Sequence, residues 1–330
     1  MNNLAESSSS VTVIPLGDTI FRGTLISYEL AQIIEGSKGD NSILFFYNRR
    51  GSGRAWICKD CGYFSKCPNC DIALAYHGYP HKQLVCHHCN FRSEIILSCP
   101  LCRGVEFQEV GIGIQKIVSD LERNFPNRKI LRIDSDSNDK KSVLHKKIDG
   151  CQLIVSTYAG ISLVHSENVG AVVFLLFESD LTLPDYRMEE DLYHTLEYAK
   201  KSGKEMYIQT YVPEHPLLTT LTEGNYRDFL HYISEERKKF SYPPYVDYVT
   251  IRIHDVSRDK LENMKNKLIN KIITLQDGTN IAFFDYGAIE KYQGEWVVKI
   301  FLKGNKIENF LSQFEVELLK NRSITLDWNS

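Results

Sequence analysis

Apolar and polar positions along this chain follow several distinct rhythms. Over residues 26–34 apolar side chains recur at helical spacing, and Gly36 to Asn41 breaks the pattern. Residues 42–47 (SILFFY) form a short apolar run that predicts a buried strand. Residues 48–54 (NRRGSGR) are basic and glycine-rich, and beyond them cysteines set the rhythm as far as Cys102. An alternating pattern then returns. Gly111-Ile112-Gly113 precedes a helical stretch with Ile114, Ile117, Val118 and Leu121 at core spacing, ended near Pro126. Residues 129–133, 153–156, 171–177 and 207–211 predict strands, with a helix near 142–148. Strands alternating with helices imply an α/β domain built on a mostly parallel sheet covered on both faces. One strand precedes the cysteines and the others follow them, so the cysteine region is expected as an insertion into that domain.

The pattern changes after Pro213, Pro216 and the Pro243-Pro244 pair, which bracket a charged helical connector. Residues 247–254 alternate as a strand, and Leu261, Met264, Leu268 and Ile272 make one helix face. Residues 281–292 and 295–302 read as a hairpin turning at Gln293-Gly294. Ile307, Phe310, Leu311, Phe314 and Leu318 make a second helix face, and 323–328 a last strand. That order is β-α-β-β-α-β, a split βαβ arrangement. The expected organisation is a disordered tail at 1–20, an α/β domain at 21–50 and 103–215, a cysteine insertion at 51–102, a connector at 216–240 and a second α/β domain at 241–330.

Composition adds one oddity to an ordinary picture. The 330 residues are 43% apolar and 25% charged with net charge -3, so overall charge does not indicate a nucleic-acid binder and any basic surface is local. The longest strongly apolar run, 171–177, falls far short of the roughly 20 residues that span a bilayer. The start MNNLAESSSS lacks the basic and apolar regions of a signal peptide. No membrane association is expected, and a cytoplasmic location is the default. Eight of the nine cysteines fall between Cys58 and Cys102, and in a reducing compartment such clustering points to metal.

Those eight form four CxxC pairs, Cys58/Cys61, Cys67/Cys70, Cys86/Cys89 and Cys99/Cys102. Each CxxC turn presents two thiolates to one tetrahedral zinc, and two turns close a four-cysteine site. Two structural Zn2+ are therefore expected. The second and third pairs are separated by 15 residues, the length of a zinc-ribbon loop, whereas the first and second are separated by only five. The preferred arrangement is nested: Cys67, Cys70, Cys86 and Cys89 hold one zinc, and Cys58, Cys61, Cys99 and Cys102 the other. A crossed pairing, first with third and second with fourth, is the alternative. Four thiolates leave no position for water, so these metals stabilise fold and do no chemistry. His77, His81, His87 and His88 lie nearby and are expected in solvated roles.

Charge is also local here. From Arg49 to Arg103 eight basic residues stand against three acids, a local net charge of +5. Trp56, Tyr63, Phe64, Tyr76, Tyr79 and Phe91 are interleaved, and basic plus aromatic composition suits a phosphate backbone and stacked bases. Arg49, Arg50, Arg54, Lys59, Lys66 and Arg92 are the candidate nucleic-acid contacts, with Lys116 at the start of the following helix.

The run NRRGSGRAWICKDCGYFSKCPNCDIALAYH, followed by LVCHHCN and CPLC, resembles the primosomal protein N′ (PriA) family of replication-restart helicases. The resemblance continues through GIGIQKIVSDLERNFPNRKILRIDSDS, PDYRMEE, YIQTYVPEHPLL and YPPYVDYVTIRI, in family order from about Leu25. It implies a RecA-like second helicase lobe carrying a nested double zinc insertion, followed by a C-terminal domain like ribosomal protein S10. It also implies forked or single-stranded DNA and primosome proteins as partners. Asp134, Asp136 and Arg132 match the family's R-D-D pattern. Arg187 is expected to pair with Glu189 or Glu190, and Cys151 to be a small core residue.

The departures shape the functional expectation. The chain contains no GxxxxGK[ST] loop and no DExH box, which the family carries in a first lobe. Where the family has a GTQM-like segment, Ser156-Thr157-Tyr158-Ala159 stands here. Where the family has a glutamine and two arginines that reach the nucleotide, residues 197–203 are Glu-Tyr-Ala-Lys-Lys-Ser-Gly. An arginine finger contributes about 10³–10⁵ in rate in related NTPases, and lysine is not an equivalent fork donor. The expectation is a degenerate PriA-like DNA-binding protein that binds no ATP alone, has no catalytic residues and does not hydrolyse ATP. One rival is a lobe-2 subunit of a split 3′-5′ helicase whose first lobe is a separate chain. The other is a zinc-ribbon module that binds replication proteins.

Overall fold

A computed structural model describes residues 10–16, 24–37, 41–47, 54–58, 63, 65–69, 74–77, 82–86, 91–110, 114–133, 148–181, 185–292, 294–314 and 322–328. The chain divides into two compact units, Met1–Tyr232 and Ile233–Ser330. Among the described residues no helix is long and apolar enough to cross a membrane.

The first unit contains a six-stranded sheet whose pairings are all parallel. Its strands are β1 (Val11–Pro15), β2 (Ser42–Phe46), β8 (Ile130–Ile133), β9 (Leu153–Ser156), β10 (Val169–Leu175) and β11 (Glu205–Thr210), in the order β1-β11-β10-β2-β9-β8. Strands buried on both faces read as continuous apolar runs, which is why SILFF, LIVS and VGAVVFL stand out. One face carries Ile43, Phe45, Leu153, Val155, Val173 and Leu175. It packs against Leu30, Ala31 and Ile34 of α1 (Tyr28–Gly36) and Ile114, Ile117 and Leu121 of α2 (Ile114–Asn124). Alternate residues Leu44, Ile154, Val172 and Phe174 are equally buried.

The start of α1 shows how the layers are tied. The Ser27 side chain accepts from Leu30 N at 3.1 Å, a helix cap. The buried Gln209 side chain on β11 accepts from Ser27 N at 2.8 Å and donates to Leu25 O at 2.6 Å. Gln209 thus fixes the entry of α1 onto the sheet.

Two expectations are corrected in this unit. Residues 1–20 were expected as a disordered tail, yet Val11–Pro15 forms the edge strand β1, parallel to β11. Ile14 and Leu16 are fully buried, and Leu16 N donates to Thr210 O at 2.8 Å. Pro15 is tolerated because an edge strand can lack one ladder donor. The insertion was expected to end at 102, but its own antiparallel sheet runs on to Val110. That sheet has the order β6-β5-β4-β3-β7, with β3 (Arg54–Cys58), β4 (Ala75–His77), β5 (Gln83–Val85), β6 (Arg92–Glu94) and β7 (Phe107–Val110). The entering strand β3 pairs with the leaving strand β7, Cys58 opposite Phe107. The helix expected near 142–148 lies almost wholly outside the described residues. Cys151 is buried as expected, and its carbonyl accepts from Ser42 Oγ at 2.6 Å.

The rest of this unit carries α3 (Glu178–Leu181), α4 (Met188–Lys200), α5 (Pro216–Thr222) and the first half of α6 (Tyr226–Lys239). Tyr193 of α4 stacks on Phe229 of α6 with ring centroids 3.8 Å apart.

The second unit has the element order β12 (Asp247–Asp255), α7 (Arg258–Gln276), β13 (Ala282–Tyr292), β14 (Glu295–Gly304), α8 (Ile307–Leu311) and β15 (Ile324–Trp328). The sheet is antiparallel with the order β13-β14-β12-β15. Alternation places Val249, Ile251, Ile253, Val298, Ile300 and Leu302 on one face, under Leu261, Leu268 and Ile272 of α7 and Ile307 and Phe310 of α8. Tyr292 faces Glu295 across the hairpin turn, where Gly294 has φ +92°, a conformation that favours glycine. The second helix ends at Leu311, shorter than the apolar spacing suggested, with Leu318 outside the described residues.

Candidate metal centre

Backbone hydrogen bonds start from the first cysteine of three of the pairs. Cys58 N donates to Tyr63 O, Cys86 N to Phe91 O and Cys99 N to Gly104 O, each at 2.8 Å. The same five-residue reach therefore recurs in three of the four pairs. Amides also aim at sulfur: Gly104 N donates to Cys102 Sγ at 3.4 Å and Asn69 N to Cys67 Sγ at 3.5 Å. Such donors favour a charged thiolate. Arg103, between Cys102 and Gly104, has φ +62°, the left-handed turn that closes the knuckle.

The structure brings Cys58 of the first pair to both cysteines of the fourth. The Sγ atoms of Cys58, Cys99 and Cys102 all lie within 4.8 Å of one another, and Cys58 and Cys102 are 3.6 Å apart. A tetrahedral zinc with sulfur at about 2.3 Å places ligand sulfurs about 3.8 Å apart. The donor set and its spacing fit that metal. Cys61, the other member of the first pair, lies outside the described residues.

Cys67 and Cys86 are fully buried and share a small apolar cluster with Leu74, Tyr76 and Leu84, flanked by Trp56, Phe91 and Ile95. Their pair-mates Cys70 and Cys89 lie outside the described residues. Cys102, in contrast, is exposed while Cys58 and Cys99 are 1% exposed. Among the described cysteines of the four pairs, Cys102 alone is exposed.

Other expected roles are redistributed. Trp56 and Tyr76 were grouped with the base-stacking aromatics, but they pack inside the insertion. Trp56 stacks on Tyr76 at 4.8 Å and on Phe107 at 5.9 Å, and its Nε1 donates to Ile96 O at 3.1 Å. The aromatics serve a core too small to stand without cross-links. Of the candidate nucleic-acid contacts, Lys66 and Arg92 are exposed, Arg92 on the edge strand β6. Lys116 is exposed but ion-paired to the buried Asp120 at 2.6 Å, which Arg123 also meets at 3.1 Å. Arg49, Arg50 and Lys59 lie outside the described residues, as does the side chain of Arg54. His77 ends β4, half-buried, and His81, His87 and His88 are outside the described residues.

In the parallel-sheet unit the residues that depart from the resembled pattern are tied down. Tyr158 donates to the buried Asp180 at 2.5 Å, and burial, reinforced by the Asp180 charge, pushes the Tyr158 hydroxyl well above the usual tyrosine range. Lys200 donates to Leu221 O at 2.7 Å. Lys204 donates to Ser166 O at 2.6 Å and to Val169 O, and desolvation lowers its pKa. Arg187 was expected to pair with Glu189 or Glu190. It pairs instead with Asp185 at 3.4 Å in the turn before α4, and Glu189 accepts from Tyr232 Oη at 2.8 Å. Asp134 and Asp136 lie outside the described residues, and Arg132 is exposed on β8. The Tyr158–Asp180 pair carried no signal in the sequence, because its members sit 22 positions apart on different elements.

These features define a mixed α/β protein with a large parallel sheet and a cysteine-rich zinc-ribbon region. Residues 67–93 match the family of PriA DNA helicase Cys-rich region (CRR) domains. The "Replication restart protein PriA" of Bacillus subtilis (strain 168) is 27% identical over 75% of this chain and 33% of its own length. Its namesake in Synechocystis is 31% identical over 66% of this chain and 28% of its own, and that of Haemophilus influenzae 29% over 69% and 33%. The chain is thus PriA-like, and it spans about a third of the length of the curated relatives it matches. A solved structure titled "De novo designed protein Foldit4" overlaps 25% of this chain and 92% of its own, at TM-score 0.21 and 15% identity. That overlap is too slight to bear on fold or function.

Proposed function

We propose that this chain is a zinc-containing DNA-binding protein of replication restart, cytoplasmic, with no ATP hydrolysis of its own. The parallel-sheet unit is read as a RecA-like second helicase lobe and the last unit as an S10-like domain. The insertion holds two structural zincs in nested fashion. Cys58, Cys61, Cys99 and Cys102 bind the outer ion, and Cys67, Cys70, Cys86 and Cys89 the inner one. The observation that carries this reading is the convergence of Cys58, Cys99 and Cys102 from opposite ends of the insertion. Crossed pairing would separate those sulfurs.

DNA contact is supported by the +5 local charge and by exposed Lys66 and Arg92. Primosome proteins are the proposed partners. The lack of ATPase is supported by Lys200 and Lys204, whose ammonium groups are bound to backbone carbonyls. Affinity for forked DNA, measured across salt concentrations, tests the reading. Binding that weakens as salt rises supports it, and absent or salt-independent binding overturns it.

The intact six-stranded parallel sheet favours a second reading, a lobe-2 subunit of a split helicase. Mixing the chain with candidate first-lobe proteins decides between them. DNA-stimulated ATP hydrolysis above that of the first lobe alone would establish the subunit reading and end the non-hydrolytic one.

A further inference from the structure

We propose that the outer cysteine cluster is an oxidant-sensitive metal site, in which a hydroperoxide links Cys102 to Cys58 and releases zinc while the inner site keeps its own. This rests on the reading of Cys58, Cys99 and Cys102 as ligands of one zinc.

Three observations converge on it. The first is access. Cys102 is exposed, whereas Cys67 and Cys86 are 0% exposed beneath Leu74, Tyr76 and Leu84. Oxidation of cysteine follows thiolate character and solvent access, so Cys102 should react ahead of the other described cysteines, all of which are buried. The second is charge. A zinc-bound sulfur is already a thiolate, and the Gly104 amide donates to Cys102 Sγ. The third is a resolving thiol within reach. Cys58 Sγ lies 3.6 Å from Cys102 Sγ, and a disulfide of about 2.05 Å needs a shift of only about 1.5 Å. Cys102 sits exposed in a turn, and the proposal requires its side chain to make that shift.

The Cys102 thiolate attacks the peroxide oxygen, the O–O bond breaks, and a sulfenic acid forms as the leaving alkoxide or hydroxide takes a proton from water. The Cys58 thiolate then attacks the Cys102 sulfur, the S–S bond forms, and hydroxide departs as a second protonated product. Two thiolates lose two electrons in all, and one hydroperoxide is reduced by two. Only Cys61 and Cys99 remain to hold the outer zinc, which leaves as Zn2+. The disulfide joins the same two ends of the insertion that the metal joined. The β3–β7 pairing beside it is therefore held in both states, and a thiol reductant with zinc restores the first.

The test uses the full chain with its zinc. Metal content is measured first, hydrogen peroxide is added, released zinc is followed with a chromogenic chelator, and peptides are mapped without reduction. The expected start is about two zinc per chain, because eight thiolates fill two tetrahedral sites. About one zinc is then released at least roughly tenfold faster than the other, with a crosslinked peptide joining Cys58 and Cys102. Dithiothreitol plus zinc reverses both changes. Cys151→Ser, altered at a buried cysteine away from the cluster, behaves as the parent. Equal release of both zincs, a disulfide elsewhere, or sulfonic acid without a disulfide overturns the proposal. A starting content near one zinc, with the outer sulfurs open to alkylation, instead overturns the ligand reading beneath it.

Discussion

Cys58 and Cys102 stand 44 residues apart in sequence, yet their sulfurs are 3.6 Å apart. This one approach closes the insertion. β3 enters and ends at Cys58, β7 leaves beside it, and everything between becomes a loop returned to its origin. A segment so poor in apolar residues has little core, so cross-links at its base replace what packing does elsewhere. The apolar cluster around Cys67 and Cys86 is a second, interior staple.

The two staples should fail differently. Cys67→Ser removes a proposed ligand of the inner zinc and strands a hydroxyl in an apolar cluster. We expect loss of about one zinc per chain and loss of β4–β5 structure, because metal binding supplies folding free energy there. Cys99→Ser should also cost about one zinc, yet leave the β4–β5 hairpin formed. Metal analysis with amide hydrogen exchange on each variant checks this. Loss of protection throughout the insertion in both variants would show a single cooperative cluster.

Trp56 joins the metal region to its own sheet. Its ring lies between Tyr76 and Phe107, and its Nε1 satisfies Ile96 O. Trp56→Ala should destabilise the insertion by about 3 kcal/mol, near the lower end for large aromatic truncations. Trp56→Phe should cost less, keeping the stack and losing the hydrogen bond. Urea denaturation followed by zinc release reads the local transition. If Trp56→Ala weakens DNA affinity with no change in that transition, the residue faces DNA after all.

The sequence made some of this legible and hid the rest for physical reasons. Continuous apolar runs announced β2, β9 and β10, because strands covered on both faces leave no polar alternation to disguise them. β1 escaped notice because VTVIP is short, holds a proline and follows a serine run. Its strand character comes from β11, far along the chain. The strands of the insertion are three to five residues long and follow ligand spacing, so no hydrophobic period marks them. The CxxC pairs were legible because two ligands in one turn are a local matter. The approach of Cys58 to Cys99 and Cys102 was expected from loop lengths, although it depends physically on β3 finding β7. Arg187 chose Asp185 because the turn before α4 brings that carboxylate to it, while Glu189 faces inward to Tyr232.

Half-buried Tyr158 and buried Asp180 form a hydrogen-bonded pair whose charge state is set by pH. The Tyr158 hydroxyl titrates above its unfolded value of 10.0, so the folded state holds that proton more tightly. This contribution is fully present below about pH 10 and is lost as pH rises through the folded pKa. Stability should therefore fall on the alkaline side more steeply in the parent than in Tyr158→Phe, which has no proton to lose. At neutral pH Tyr158→Phe should cost about 1–3 kcal/mol, since it takes a donor from a buried carboxylate. Thermal melts from pH 7 to pH 11 check both signs. A variant with the parent's alkaline slope would assign that slope to other tyrosines.

Substitutions at Lys66, Arg92 and Lys116 test the proposed DNA face against ordinary surface charge. A lysine or arginine that neutralises one phosphate contributes about one unit to the slope of log affinity against log salt. Lys66→Ala and Arg92→Ala should each reduce the slope by roughly that unit and weaken binding to all sequences alike. Lys116 is already engaged by Asp120, with Arg123 on the same carboxylate. Moving it to a phosphate would leave that buried acid to Arg123 alone, so Lys116→Ala should change the slope by much less. Fluorescence anisotropy with forked and single-stranded DNA over a range of salt gives all three slopes. A large effect at Lys116 with none at Lys66 or Arg92 would move the DNA contact from the insertion to the start of α2.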